Sequence, residues 1–318
     1  MTDVTEAATT RRLVFAGQAI VDIVMRVPAL PVSGGDMLAT AAEVTVGGGF
    51  NVMAAAARQG MTVLYAGGHG TGPWGDMVRA ALDNEGIGVL HLPDQARDTG
   101  FDVALVEPDA ERTFVTCLGA ETLHQAGSWA AVPARAGDIV YISGYGLVPA
   151  ESGPVLGQWA AALPEGVLLF LDPGPLAAEI PAPVLAPVLE RCDWLSCNSR
   201  EAAVLCGQSN PAVAARLLRE RTTRAQVIVR AGPGGCVLAL RADPVPVHVP
   251  APRVDAVDTT GAGDAHAGVL LAALAEGDDP ASAARRANVA AALSVTRPGP
   301  ATAPARADLD RFIAQHGL

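Results

Sequence analysis

The chain has 318 residues, half of them hydrophobic, which is enough for one large α/β domain with a sizeable core. Its net charge of −11 counts against non-specific binding to nucleic acid or to an anionic membrane surface. All 22 basic residues are arginine; the absence of lysine excludes a G-K-[ST] phosphate loop, a protein-kinase lysine and a lysine Schiff base. Phosphate, if bound, must then be held by backbone amides, arginine and metal. No apolar run approaches the ~18 residues of a membrane helix. The polar start Met1-Thr2-Asp3-Val4-Thr5-Glu6 is not a signal peptide. Five cysteines (Cys117, Cys192, Cys197, Cys206, Cys236) lack metal-ligand spacing and read as reduced, mostly buried thiols of a cytoplasmic protein.

In chain order, Arg12 to Gly17 reads as a first buried strand, with Asp22 at its carboxyl side in an apolar run that obliges the carboxylate to find a partner. Pro31 to Asp36 is a turn, and residues 37–46 alternate loosely as a strand. The glycines Gly47, Gly48 and Gly49 then lead into an alanine-rich helix predicted over Val52 to Gln59. Asn51 is either its N-cap or part of a ligand loop. A strand over Thr62 to Ala66, a helix over Gly75 to Glu85 and a strand over Gly88 to Leu92 set up a βαβα rhythm. That rhythm predicts a mostly parallel sheet covered on both faces. Residues 99–106 and 113–117 interrupt it with a hairpin around Glu107 to Arg112, which together with residues 36–46 would form a small separate sheet.

The rhythm resumes with a strand over Asp138 to Ile142, a helix over 151–163 and a strand over Val167 to Leu171. That strand ends at Asp172, where open α/β sheets place ligands. A short strand from Trp194 meets a helix at Asn198 and Glu201, whose spacing is that of a capping pair. A strand over Ala225 to Val229 runs into the turn Arg230-Ala231-Gly232-Pro233-Gly234-Gly235 and a strand over Cys236 to Leu240. Short strands at Pro246 to Pro250 and Val254 to Val257 follow.

Then comes the most informative stretch, Asp258-Thr259-Thr260-Gly261-Ala262-Gly263-Asp264, opening a small-residue helix over Ala265 to Glu276. A glycine-rich turn at a helix start presents free N–H groups and the positive end of the helix dipole, a ready anion site. A carboxylate beside such a site repels phosphate, so Asp264 is better suited to take a proton from an attacking hydroxyl. The alternative is an ordinary acidic first turn. The dinucleotide pattern G-x-G-x-x-G fails, because His266 stands at the third glycine. Helices over 280–296 and Arg306 to Gln315 close the chain.

That stretch resembles the D-T-x-G-A-G-D signature of the ribokinase-like (PfkB) carbohydrate kinases, and the resemblance runs from about Leu13 to Phe312. It implies a three-layer α/β fold with a mostly parallel central sheet and a small β-sheet lid over 36–46 and 99–117, all within a single domain, 1–318. It implies Asp264 as catalytic base and the amides of Gly261, Ala262 and Gly263 as anion hole. Asp22, Asn51 and Gly47, Gly48 and Gly49 would bind the sugar. Asn198 and Glu201 match N-x-x-E, which organises Mg²⁺ largely through water. Arg230, Gly232, Gly235 and Asn288 match the ATP-binding positions. Asp258, Thr260, Ser294, Arg297, Gly299 and Thr302 match a monovalent-cation corner, taken as K⁺. The sequence departs from ribokinase at Ile20, where a polar residue is usual, in a glycine loop one residue shorter and without lysine, and in Arg230 for the usual Thr. The first two departures count against ribose itself; Arg230 either adds charge near the ATP phosphates or points to solvent. The resemblance also implies a homodimer through the lid and a small-molecule sugar as partner. A nucleoside kinase of the same fold, a phosphosugar kinase and a non-catalytic sugar- or nucleotide-binding regulator are the alternatives. Low aromatic content (4%) counts against the first. The second needs an arginine near the acceptor, for which Arg112 equally fits an ordinary lid turn, and the presence of Asp264 counts against the third.

Overall fold

The computed structural model describes residues 11–109, 111–122 and 126–318; the polar N-terminal stretch and Ala110 of the hairpin turn lie outside them. The chain opens with β1 (Arg12–Ala16), β2 (Ala19–Arg26), β3 (Ala41–Gly48), α1 (Phe50–Arg58), β4 (Thr62–Tyr65), α2 (Pro73–Asn84) and β5 (Gly88–Val89). The hairpin β6 (Phe101–Val106) and β7 (Arg112–Cys117) follows, then α3 (Ala126–Ala130), β8 (Ile139–Ser143), α4 (Gly153–Ala161), β9 (Leu168–Asp172) and α5 (Ala182–Arg191). The last part is β10 (Trp194–Asn198), α6 (Ser199–Cys206), α7 (Pro211–Arg221), β11 (Gln226–Arg230), β12 (Cys236–Ala239), β13 (Val247–Val249), α8 (Ala262–Glu276), α9 (Pro280–Ser294) and α10 (Arg306–His316).

The central sheet runs β13-β12-β11-β10-β9-β8-β1-β4-β5, and only the pairings of β12 with its two neighbours are antiparallel. Its strands are apolar on both faces because both are covered. Leu13, Phe15, Ile139, Tyr141, Phe170 and Ile228 face one core, with α1, α8 and α9. The alternate residues Val14, Val140, Leu169, Leu171 and Val227 face the other, with α4 to α7. Phe15, Tyr141 and Phe170 stack across three neighbouring strands, with ring centroids 5.0 and 5.3 Å apart.

A second sheet, β3-β2-β6-β7, stands apart, and it differs in three ways from the expectation. Asp22 does not end the first strand: two residues, Gly17 and Gln18, break the chain, and Asp22 lies within β2, paired with both β3 and β6. Residues 36–40 are not strand; they follow the Ser33–Gly34 turn, and β3 begins only at Ala41. The small sheet therefore has four strands.

Other differences have local causes. Val254 to Val257 forms no strand; Pro250 and Pro252 precede it, and the amides of Val257 and Asp258 both turn to the Val295 carbonyl. The unpredicted α5 carries Pro187 inside it, and the unpredicted α7 begins at Asn210, whose side chain accepts from the amides of Ala212 and Val213. Helix α1 starts earlier than expected, at Phe50 rather than Val52, and its cap is Gly49 without a side-chain bond, so Asn51 is free for another role.

Helices α1 and α8 cross where Gly268 removes a side chain. A Cβ there would come within 2.5 Å of the Val52 carbonyl oxygen and 2.6 Å of the Ala55 Cβ. Gly268→Val is expected to lower the unfolding free energy by about 1–3 kcal/mol, the usual cost of overpacking. It should also weaken function, because α1 carries Asn51 and α8 carries Asp264. An unchanged melting temperature in calorimetry would contradict this packing account.

Candidate active site

The carboxyl ends of β9, β10 and β11 deliver Asp172, Asn198 and Arg230 to the place where α8 begins. Gly261 starts that helix in the left-handed region (φ 73°), and a Cβ on it would run into the Pro300 carbonyl. With Ala262 and Gly263 it stands at the positive end of a 15-residue helix, where the Ala262 amide turns back to the Thr259 carbonyl at 3.3 Å. Half-buried Asp264 sits in the first turn, and its Oδ2 accepts from Asn51 Nδ2 at 3.1 Å. Burial raises its carboxyl to about 6, with Asn51 pulling the other way and Asp172 adding to the rise. At neutral pH it is mostly ionised, yet basic enough to accept a proton. Neighbouring His266 is driven down to about 3 by burial and by the Arg230 charge, so it stays neutral and offers no rival base.

Arg230 does not point to solvent. Its Nη1 donates to Asp172 Oδ2 at 2.7 Å and to Ser196 Oγ, and its Nη2 lies 3.4 Å from Glu201 Oε2. Burial alone would lower this guanidinium, but Asp172 and Glu201 outweigh it and hold it charged. The guanidinium also lies 3.6 Å from where a Cβ of Gly263 would stand, so the positive charge borders the helix start. The Asn198–Glu201 pair forms a reciprocal cap: Asn198 Oδ1 accepts from the Glu201 amide at 2.9 Å, and Glu201 Oε2 accepts from the Asn198 amide at 2.7 Å. Glu201 is raised to about 7 by burial and by Asp172, against the opposing pull of Arg230. Both its oxygens are engaged, so a water-mediated contact to a cation disturbs less than a direct bond. Among the described residues, no cluster of three His, Cys, Asp or Glu side chains forms a self-sufficient metal site. Mg²⁺ suits such a place when nucleotide oxygens and waters complete its shell.

The glycine loop faces this corner from the small sheet, and two of its glycines are required by close approach. A Cβ on Gly47 would collide with the Asp22 carboxylate, and one on Gly49 with the Phe15 ring. Gly48 has φ 59°. Asp22 is buried and raised to about 7, by burial first and then by the charges of Asp102 and Asp264. On the far side, Asp258 accepts from the Thr260 amide (2.9 Å) and hydroxyl (2.7 Å), from the Gly299 amide (3.2 Å) and from Arg112 of β7. Burial would raise its carboxyl, but these donors prevail and hold it low. Thr302 donates to the Ser294 carbonyl at 2.9 Å, whereas the Arg297 side chain is exposed.

Gly232 and Gly235 shape the turn between β11 and β12, both at positive φ. Asn288 lies inward: its amide donates to the carbonyls of Val249 (2.9 Å) and Pro250 (3.3 Å), beneath the sheet edge. Ser196, Asp102 and Tyr145 were not singled out from the sequence. A fully buried Ser in the apolar run of β10 and an acid at an inward position of β6 were the readable signals for the first two. Tyr145, raised to about 12 by burial and by Asp264, gave none.

Residues 10–307 match the model of the pfkB family carbohydrate kinases. The chain belongs to that family. The uncharacterized sugar kinase YegV of Escherichia coli is 32% identical over 309 residues, covering 96% of this chain and 94% of its own. Mouse ribokinase is 31% identical, covering 90% of each. The structure of Thermotoga maritima ribokinase superposes with a TM-score of 0.79 at 24% identity, covering 96% of this chain and 99% of its own, a likeness of fold. As a pfkB kinase, this protein is a phosphotransferase, and its central sheet with a separate small sheet is the ribokinase arrangement. No helix among the described residues is long and apolar enough to cross a membrane.

The raised carboxyls give the kinase a defined pH response. In the folded protein Asp22 titrates near 7, above its ordinary carboxylate value. The stabilisation it lends is therefore complete below about pH 4 and lost as the pH rises through about 7. Asp22→Asn is expected to gain stability relative to wild type at pH 8, and the gain should shrink at pH 5.5. Urea melts at the two pH values check the sign, and an equal difference at both would contradict it.

Proposed function

We propose that the protein is an ATP-dependent sugar kinase that moves the γ-phosphate of Mg²⁺·ATP to a primary hydroxyl of a carbohydrate. The observation that supports this reading is the Asn51–Asp264 contact, which joins the helix after the glycine loop to a carboxyl raised to about 6 at the start of α8. Asp264 takes the hydroxyl proton as the acceptor oxygen bonds to phosphorus and the bond to ADP breaks. The amides of Gly261, Ala262 and Gly263 stabilise charge on the transferring group, each such donor being worth ~3 kcal/mol. Asp22, Asn51 and the loop Gly47 to Gly49 orient the acceptor. Arg230 adds positive charge beside the phosphates, while Asn198 and Glu201 are the residues that would hold Mg²⁺, largely through water. Mg²⁺, when bound, neutralises the phosphate oxygens.

The remaining roles belong to the same reading. Gly232 and Gly235 line the nucleotide, and Asn288 holds that wall through the Val249 and Pro250 carbonyls. The corner of Asp258, Thr260, Ser294, Arg297, Gly299 and Thr302 takes K⁺, chiefly through carbonyls. Residues 1–318 act as one domain, with the four-stranded sheet as a lid that excludes water, a competing acceptor. A homodimer through that lid is supported by the exposed Phe114, Val115 and Leu118 on and beside its edge strand. Five free thiols, four of them buried, support a cytoplasmic location.

The test is ADP release from Mg²⁺·ATP and K⁺ over a panel of pentoses, hexoses, sugar acids, phosphosugars and nucleosides. Asp264→Asn is expected to fold and bind ATP while losing about 10²- to 10⁴-fold in rate. Near-normal turnover by that variant would remove Asp264 from the mechanism. A best acceptor among the nucleosides would replace the sugar.

A further inference from the structure

Asp102 is the unexplained acid of this molecule. It lies in β6 directly beside Asp22 of β2, in parallel register, so the two carboxylates leave the sheet on one face. Across the four strands the row reads Thr45, Asp22, Asp102, Thr116, polar at every position. Its exposure is only 9%, and its Oδ1 is shielded from water without a hydrogen-bond partner. Among the described residues no donor or cation compensates it, and its charge works against that of Asp22. A buried acceptor left unpaired beside a like charge is costly. Asn51 adds a second signal in the same corner, since its Oδ1 is also buried and unpaired while its amide serves Asp264. Two shielded acceptor atoms at one place mark the outline of a donor-rich ligand.

We infer that Asp102 is a second acceptor-binding carboxylate, which with Asp22 takes neighbouring hydroxyl groups of an uncharged polyol and selects it over sugar phosphates and sugar acids. The inference rests on the kinase reading for the location of the acceptor. Hydroxyls donate to carboxylates, whereas a phosphate or carboxylate of the ligand brings only acceptors and a further negative charge against Asp22, Asp102 and Asp264. The cation on the same face of the small sheet nearest the helix start, Arg112, is committed to Asp258 and does not offset this field. Burial, which raises Asp102 to about 6, strengthens whatever hydrogen bond it accepts.

The experiment uses the full chain and its Asp102→Asn and Asp102→Ala variants. Turnover is measured with Mg²⁺·ATP against neutral pentoses, hexoses and their glycosides, the matching phosphosugars and sugar acids, and nucleosides. Binding of the same compounds to the Asp264→Asn protein, alone and combined with Asp102→Ala, is measured by calorimetry, which needs no turnover. Wild type is expected to prefer a neutral polyol. Asp102→Ala should raise the KM for that acceptor roughly 10- to 100-fold, the loss of a charge-assisted hydrogen bond. The KM for ATP should hold, the melting temperature should stay or rise because an unpaired buried acid is removed, and the preference for neutral over anionic compounds should narrow at least about tenfold. Asp102→Asn, which keeps an acceptor but not the charge, should fall between. Turnover that favours a phosphosugar or sugar acid overturns the inference and leaves the kinase reading intact, as does an unchanged acceptor KM in Asp102→Ala. Neutral sugars that bind, and bind more weakly without Asp102, while no ADP is released, uphold the inference and overturn the kinase reading. Absence of both binding and turnover with every neutral compound overturns the inference.

Discussion

Five carboxylates meet at one end of this sheet, and a single buried guanidinium holds part of them together. Arg230 bonds Asp172 directly and approaches Glu201 and the helix start that bears Asp264. Asp22 and Asp102 stand opposite on the small sheet, outside its reach. Burial pushes Asp22, Asp102, Glu201 and Asp264 towards their neutral forms; Arg230 pushes back at Glu201, and Asn51 and Arg230 push back at Asp264. A folded chain keeps so much like charge in one place only against an opposing requirement. Phosphoryl transfer as proposed would supply one: a base for the hydroxyl, acceptors for the substrate and a carboxylate for metal waters, with backbone amides rather than lysine for the phosphate.

The geometry depends equally on missing side chains. Gly268 lets α1 and α8 approach until Asn51 reaches Asp264, Gly47 leaves room for Asp22, and Gly49 lies on the Phe15 ring of the aromatic stack. That stack continues through Tyr141 to Phe170 beneath the site, so the loop and the strand ends share one rigid floor. The small sheet is attached more sparingly. Gly17 and Gln18 separate β2 from β1, and Arg112 reaches from β7 to Asp258, tying the sheet to the turn before α8.

Much of this was legible in the residues. The alternation of apolar strands with short turns and small-residue helices fixed the parallel sheet, because both faces must be covered. The Gly261-Ala262-Gly263-Asp264 run marked a glycine turn opening a helix, and α8 begins there on a left-handed Gly261. The capping pair Asn198–Glu201 is present as its spacing required. Elements were lost where local signals conflicted: α5 carries an internal proline, and β2 reads as the continuation of β1 with two weak breakers between them.

By itself, then, the sequence determined the fold class, the place of the helix start and the identity of its acid, since these follow from periodicity and turn chemistry within a few residues. Only the tertiary structure decided which distant groups share a field. It turned Arg230 inward to Asp172, replaced the supposed cap role of Asn51 with a bond to an acid 213 residues away, and set Asp102 beside Asp22. Those outcomes depend on strand register and on helix packing. No local propensity encodes either, because each is settled by where the rest of the chain buries its apolar surface.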